Sequence, residues 1–156
     1  MSAVASDELY SLMIPLADES LILPRACVAE VVAWLQPDAV ANAPKWYLGT
    51  IAWNNRVVPV VSFEAACNKP IPVTGGRTRI VICIGLTGKL DSGYFGLVTQ
   101  GFPQLVRLSP DIVKADPNQP FFDRQPIMCQ VRMINEAPLI PDFERLEQMI
   151  SDESRA

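Results

Sequence analysis

Few side chains in this sequence have the types and spacing that catalysis requires. Histidine is absent from all 156 residues, which excludes His-dependent triads, His-ligated metals and a phosphoryl-carrying histidine. The four cysteines, Cys27, Cys67, Cys83 and Cys129, stand too far apart for a C-x-x-C motif or a zinc-ligand pattern. We therefore expect no metal and no cofactor. Cys83 and Cys129 are interpreted as small apolar residues of buried strands.

A glycine-rich segment with a lysine invites comparison with the phosphate-binding Walker loop. That loop needs four residues between its glycines and a hydroxyl residue after the lysine. In this sequence two residues separate Gly85 from Gly88, and Leu90 follows Lys89. A hairpin turn explains the segment better. Since no other catalytic motif stands out, the sequence predicts a protein that is not an enzyme.

Composition favours a folded domain without a nucleic-acid or membrane surface. Apolar residues make up 49% and charged residues 19%, which argues against disorder. The 14 prolines argue against a long helical bundle. The formal net charge of −4 leaves no basic stripe for phosphates and no polybasic anchor. We expect a cytoplasmic protein that binds no nucleic acid and does not insert into a membrane.

The hydrophobic pattern predicts about nine or ten short strands, with turn signals typical of barrels or sandwiches. Leu12, Ile14 and Leu16 alternate as on one face of a strand. Asn54-Asn55 suits a tight hairpin turn, because Asn tolerates positive φ. The most apolar strand, from Arg79 to Leu86, should be central.

Three other segments carry local predictions. Trp46 to Gly49 is predicted as a helical turn closed by the glycine. Pro59 has no N–H to donate, so its strand should be an edge strand or carry a bulge. Asp142 should cap a helix from Phe143 to about Asp152. Its apolar residues share one face, and its polar residues are predicted to face solvent: Glu144, Arg145, Glu147 and Gln148.

Large aromatic side chains near turns are further candidates for function. They are Trp34, Trp46, Tyr47, Trp53 and Phe121-Phe122. Such residues are enriched in interface hot spots, and they also pack in cores or beneath hairpins. For Trp53, beside the predicted turn, both interpretations stay open.

Three stretches follow one another in the order of a known family pattern. They are Leu23-Pro-Arg-Ala-Cys-Val-Ala-Glu-Val-Val32, then Pro44–Gly49 with Trp53–Val61, then Tyr94–Val98 with Leu105-Val106 and Leu108–Pro110. Together they resemble a CheW-like domain, the coupling module of bacterial chemosensory arrays. The resemblance spans roughly Glu8 to Ile150. Pro44–Gly49 is more similar to the coupling proteins of type IV pilus (twitching) systems, the PilI and ChpC kind.

Several positions depart from that pattern. Aligned on Val58-Pro59, the family's turn arginine falls on Asn54 and the glycine after it on Asn55. Ser62 and Gln100 stand where acids are usual. If Asn54 replaces a charge that relatives use, we expect this protein to choose a different receptor or to dock more weakly.

The resemblance implies a mainly β fold. We expect two intertwined five-stranded SH3-like barrels, with a hydrophobic core between them and a short C-terminal helix. Residues 1–7 are expected to be disordered, 8–150 to form the CheW-like domain with an internal boundary near 68–78, and 151–156 to form a tail.

The resemblance also implies a non-enzymatic adaptor. It would join the cytoplasmic tip of a methyl-accepting receptor to the regulatory domain of a CheA-type histidine kinase, in twitching motility or a related pathway. Receptor contact would use the groove between the barrels. The candidate receptor-binding residues are Val28, Glu30, Trp53, Asn54, Arg56, Leu97 and Val98. The resemblance does not assign kinase-binding residues with comparable precision.

Two alternatives remain open. A small-ligand-binding β-barrel would need a pocket with convergent polar groups, and the sequence shows no such set. A kinase-binding brake without receptor coupling would have the same sequence features, so only partner data separate it from an adaptor.

Overall fold

The structure is a computed structural model that describes residues 9–108, 114–115, 125–133 and 136–154. Phe121-Phe122 lie outside the described residues. The described residues form eleven strands and two helices. In chain order these are β1 Leu9–Pro15, β2 Ser20–Pro24, β3 Val28–Ala33, β4 Tyr47–Trp53, β5 Arg56–Val61, α1 Phe63–Ala66, β6 Arg79–Ile84, β7 Tyr94–Thr99, β8 Gln104–Leu108, β9 Lys114–Ala115, β10 Ile127–Arg132, β11 Leu139–Pro141 and α2 Phe143–Ser154.

The strands form two sheets that take their strands from interleaved parts of the chain. One sheet has five strands plus the two-residue β9, in the order β8-β1-β2-β11-β10-β9, and the other has the order β3-β6-β7-β5-β4. The chain enters the second sheet through a 3-10 turn, Arg25–Cys27, and returns to the first at β8. The predicted mainly β, intertwined fold is confirmed. The loop 68–78 connects α1 to β6 within the five-stranded sheet.

Alternation along the strands builds one core shared by both sheets and a separate cluster within each sheet. In β6, Val81 and Cys83 join the shared core while Ile80 and Ile82 join the cluster of the five-stranded sheet. All four side chains are fully buried. Burying such a side chain stabilises the fold by roughly 1.5–3 kcal/mol. Strand β6 lies between β3 and β7, so its predicted central position is confirmed.

The C-terminal helix begins where the sequence predicts and closes the shared core. The Asp142 carboxylate accepts a hydrogen bond from the Arg145 N–H at 3.1 Å, as expected for an N-cap. Phe143 packs edge-on against Phe95, with ring centroids 5.2 Å apart. The prediction that Glu147 faces solvent is wrong, because donors from the β6–β7 loop surround its buried carboxylate.

The hairpin of β4 and β5 confirms the predicted turn, but the prediction of an edge strand or a bulge at Pro59 is wrong. Asn54 and Asn55 both have positive φ, at +50° and +62°, as a type I′ turn requires. Pro59 lies opposite Thr50 of β4, and the pairing of β5 with β7 begins one residue later, at Val60. Strand β5 is therefore internal in the sheet, and its proline sits ahead of the part that pairs on both sides.

The predicted helical turn at Trp46–Gly49 is wrong, because this segment takes part in closing a barrel. Asp38 and Thr50 exchange two backbone hydrogen bonds, at 2.8 and 3.0 Å. Gly49 has a φ of +139°, and a Cβ there would lie 2.2 Å from the Asp38 carbonyl oxygen. Glycine is needed at this position, since any side chain would push the two backbones apart.

Helix α1 explains one departure from the family pattern and contains a buried acid, Glu64. The Ser62 hydroxyl accepts a hydrogen bond from the Ala65 N–H at 3.2 Å, so this serine caps the helix as an aspartate would. Glu64 is buried, and its Oε2 accepts from the Ala17 N–H at 3.1 Å. Burial raises the pKa of Glu64, and the neighbouring Glu19 carboxylate raises it further.

We expect Gly49→Ala to lower the free energy of unfolding by about 3 kcal/mol or more, from backbone strain and loss of the Asp38–Thr50 pairing. Gly76→Ala is the matched control, because no described atom lies within 4 Å of a Cβ at that position. The control should stay within about 0.5 kcal/mol of wild type. Urea unfolding measures both, and equal midpoints would contradict this account of barrel closure.

We expect the ionisation of Glu64 to destabilise the fold as the pH rises. A raised pKa means that the folded protein retains a proton which the unfolded chain releases, so stability falls as the pH rises above the ordinary value of 4.5. Glu64→Gln should therefore gain stability relative to wild type on going from acidic to neutral pH. Urea unfolding across that range tests this, and a constant difference between the two proteins would contradict it.

Candidate partner-binding surface

Four side chains meet at one rim of the five-stranded sheet, and we call them the rim cluster: Glu30, Trp53, Arg56 and Tyr94. The Trp53 indole N–H donates to Glu30 Oε1 at 2.9 Å. The Trp53 and Tyr94 rings pack edge-on, with centroids 4.9 Å apart. The Arg56 guanidinium lies 5.3 Å from the centroid of the Tyr94 ring.

The rim cluster links the two ends of the sheet. Glu30 belongs to β3 and Trp53 to β4, which are the first and last strands of the sheet order. Their hydrogen bond therefore helps to close this sheet into a barrel. Arg56 also donates from Nη1 to the carbonyl of Ser92 at 2.9 Å, which fixes the guanidinium across the β6–β7 loop. The Glu30 carboxylate and the Arg56 guanidinium are thus held beside the packed rings of Trp53 and Tyr94, on a surface that a partner can reach.

The structure brings some of the sequence-predicted residues together and separates others. Asn54 lies in the turn next to the rim cluster and is exposed. Val28 is half-buried at the start of β3 and packs against the shared core. Leu97 and Val98 are 0% and 6% exposed, so their side chains are core residues and are not presented to a partner. Tyr94 was missed as a site residue, and its only sequence signal is an aromatic residue at the start of a strand.

An apolar groove of about 410 Å³ lies where the two sheets meet, and we refer to it as the apolar groove. Its lining includes Leu23, Pro24, Cys27, Leu86, Met128 and Phe143. Leu86 and Met128 both line this groove, and their side chains are 60% and 62% exposed. Large apolar side chains that are exposed together around a concave surface often mark a binding site. Sequence reasoning missed both of these residues. Cys27 connects the groove to Val28 and so to the first strand of the rim cluster's sheet.

The thiols of Cys27 and Cys67 are poor nucleophiles. Burial raises the pKa of Cys27 in the groove, and it raises the pKa of Cys67 to about 12. Both thiols are therefore held in the neutral form, which is a poor nucleophile. Among the described residues, no group of three or more Cys, Asp or Glu side chains is placed to hold a metal ion.

The chain thus folds as two packed β-barrels, with an apolar groove between them and a charged aromatic rim. The model of the CheW-like domain family matches residues 11–148. The chain therefore belongs to the CheW-like family, whose members are non-enzymatic scaffold adaptors of chemotaxis that link receptors to the kinase CheA.

Comparison with solved structures supports the fold. The scaffolding protein TtCheW from Thermoanaerobacter tengcongensis superposes with a TM-score of 0.70 at 16% sequence identity, over 85% of this chain and 83% of that one. A search of curated proteins by sequence returned no match. Within the described part of the chain, neither helix combines the length and apolar character needed to cross a bilayer.

We expect a double-mutant cycle to detect the bond that links β3 to β4. Trp53→Phe removes the indole donor and keeps an aromatic ring, while Glu30→Ala removes the acceptor. Their effects on the free energy of unfolding should be coupled by about 1 kcal/mol. Trp53→Phe combined with Glu144→Ala, on the exposed face of α2, is the control and should be additive. Additivity in the first cycle would contradict the barrel-closing role of the bond.

Proposed function

We propose that this protein couples the cytoplasmic tip of a methyl-accepting receptor to the regulatory domain of a CheA-type histidine kinase. Family membership supports the adaptor class, and the apolar groove is the observation that carries the proposal for this chain. Exposed Leu86 and Met128 beside a concave apolar surface are best explained by a partner that covers them.

The groove suits an amphipathic helix from the receptor tip. Such a helix lays its apolar face into a hydrophobic groove and is anchored by a few side chains. Burial of Leu86 and Met128 would supply affinity, since both start largely exposed. The charges of the rim cluster would set register and partner choice, because electrostatic complementarity contributes specificity more than affinity.

The candidate receptor-binding residues divide into two roles under this proposal. Val28, Glu30, Trp53, Asn54 and Arg56 would contact the receptor directly, along β3 and the β4–β5 turn. Leu97 and Val98 act from the core, by supporting the strands that carry the surface. Signal passes through the adaptor only if its affinity or geometry differs between receptor states.

The pathway we propose is pilus-mediated (twitching) motility, with the protein in the cytoplasm at receptor arrays. The similarity of Pro44–Gly49 to coupling proteins of pilus systems supports this. In the structure Trp46 packs tilted against Tyr47, with ring centroids 5.9 Å apart, and it also packs against the shared core. The segment that differs from other relatives is thus anchored to the core, next to β4.

We expect Leu86→Asp and Met128→Asp each to weaken binding of a receptor-tip fragment at least tenfold, by placing a charge where apolar surface is buried (about 1.4 kcal/mol for each tenfold). Val73→Asp is the matched control, because Val73 is 92% exposed on the loop 68–78, which does not line the apolar groove. Kinase-domain binding should be unchanged in all three variants. Isothermal titration calorimetry measures both partners, with unfolding midpoints to confirm folding.

The outcomes separate the competing functions. Binding of wild type to both partners, with loss of receptor binding in the two groove variants, supports the adaptor. Binding to the kinase domain alone indicates a brake. Binding to neither partner by a folded protein overturns the proposal and favours the small-ligand-binding barrel.

A further inference from the structure

A buried carboxylate lies directly beneath the loop that forms part of the apolar groove. Glu147 of α2 is 0% exposed. Its Oε2 accepts a hydrogen bond from the Leu86 N–H at 2.9 Å. Its Oε1 accepts from the Thr87 N–H at 3.1 Å and from the Thr87 hydroxyl at 2.8 Å. Three donors from two consecutive residues thus converge on one acidic side chain.

Those two residues belong to the wall of the groove. Leu86 and Thr87 line it from the five-stranded sheet, while Leu23 and Met128 line it from the other sheet. Since the Leu86 side chain is 60% exposed, core packing alone does not fix its direction. The hydrogen bonds from the Leu86 and Thr87 amides to Glu147 fix the loop backbone, and with it the direction in which the Leu86 side chain leaves the chain.

The surroundings of Glu147 show how closely the loop and the helix fit. A Cβ on Gly85 would lie 3.4 Å from Glu147 Oε1 and 3.1 Å from the Gly93 carbonyl oxygen. The neighbouring helix residue, Gln148, accepts a hydrogen bond from the Lys89 ammonium. The Lys89–Gln148 hydrogen bond is exposed to solvent, so it contributes less to holding the loop on the helix than the hydrogen bonds to buried Glu147 do.

We propose that Glu147 is the positioning residue of the receptor-binding groove. By holding the Leu86 and Thr87 amides, it sets the groove wall before the receptor arrives, which lowers the ordering that binding requires. This inference rests on the proposed function of the groove. Glu147 itself is buried and acts through the loop.

The test compares Glu147→Gln with Glu153→Gln, which makes the same substitution near the end of the same helix and away from the groove. In Glu147→Gln, the side-chain NH₂ replaces one of the two carboxylate oxygens. It cannot accept from the Leu86 and Thr87 donors, so one hydrogen bond to the loop is lost or reversed in direction. Amide hydrogen exchange at Leu86 and Thr87 should accelerate about tenfold, with the strands unchanged. Affinity for a purified receptor-tip fragment should fall about tenfold, and affinity for the kinase regulatory domain should stay the same.

A second variant keeps the test decisive if Glu147→Gln does not fold. Thr87→Val removes the hydroxyl donor at 2.8 Å and preserves side-chain volume. It should shift loop exchange and receptor affinity in the same direction, by about threefold. Glu153→Gln should match wild type in every measurement.

The results distinguish this inference from the proposed function. If wild type binds the receptor tip and Glu147→Gln binds it as tightly as Glu153→Gln does, the positioning role is overturned and the proposed function stands. If wild type binds no receptor tip, the proposed function fails and the inference fails with it. Loss of kinase binding in parallel with receptor binding would indicate general destabilisation and would also overturn the positioning role.

Discussion

The fold depends on burying both faces of the central strands. Along β6, alternate side chains enter the core shared by the sheets and the cluster inside the five-stranded sheet. A strand covered on both faces is apolar at consecutive positions, as Ile80–Cys83 shows. The six-stranded sheet and α2 cover the face of β6 that enters the shared core. Each sheet therefore completes the hydrophobic core of the other. This mutual dependence makes the two barrels a single folding unit.

The same arrangement places binding on the outside of the barrels. Side chains such as Ile51, Val58 and Val60 fill the inside of the five-stranded sheet, as in other small barrels with packed interiors. The surfaces that a partner can reach are the seam between the sheets and the rim where one sheet closes. Because a shared core joins these two surfaces, their separation is fixed. A receptor that contacts both surfaces at once would therefore meet them in one fixed geometry.

Sequence patterns were sufficient wherever the cause is local. The alternation of apolar residues predicted that Leu12 and Ile14 share one face, and the apolar run predicted the central strand. The pair Asn54-Asn55 predicted the turn. Side-chain direction and φ preference both act within a few residues, so these features can be predicted locally. Glu147 was placed on the wrong side because its donors lie 60 positions away in the chain. The role of Gly49 is set by the backbone of another segment. Glu30, Trp53 and Arg56 of the rim cluster were among the candidates drawn from the family resemblance and the turn aromatics. Tyr94, Leu86 and Met128 were missed, because their placement depends on segments distant in the chain.

The order of strands also determines when each part of the protein can form during synthesis. The five-stranded sheet comes from one continuous stretch, 28–99, so its partners are all present once β7 has left the ribosome. The hairpin of β1 and β2 precedes that stretch, whereas its neighbours β8 and β11 follow it, and Leu21 pairs with Leu139. Such long-range pairing is slow to form. The hairpin of β1 and β2 therefore has unpaired edges and uncovered apolar side chains while the intervening residues are synthesised, and such exposure favours aggregation.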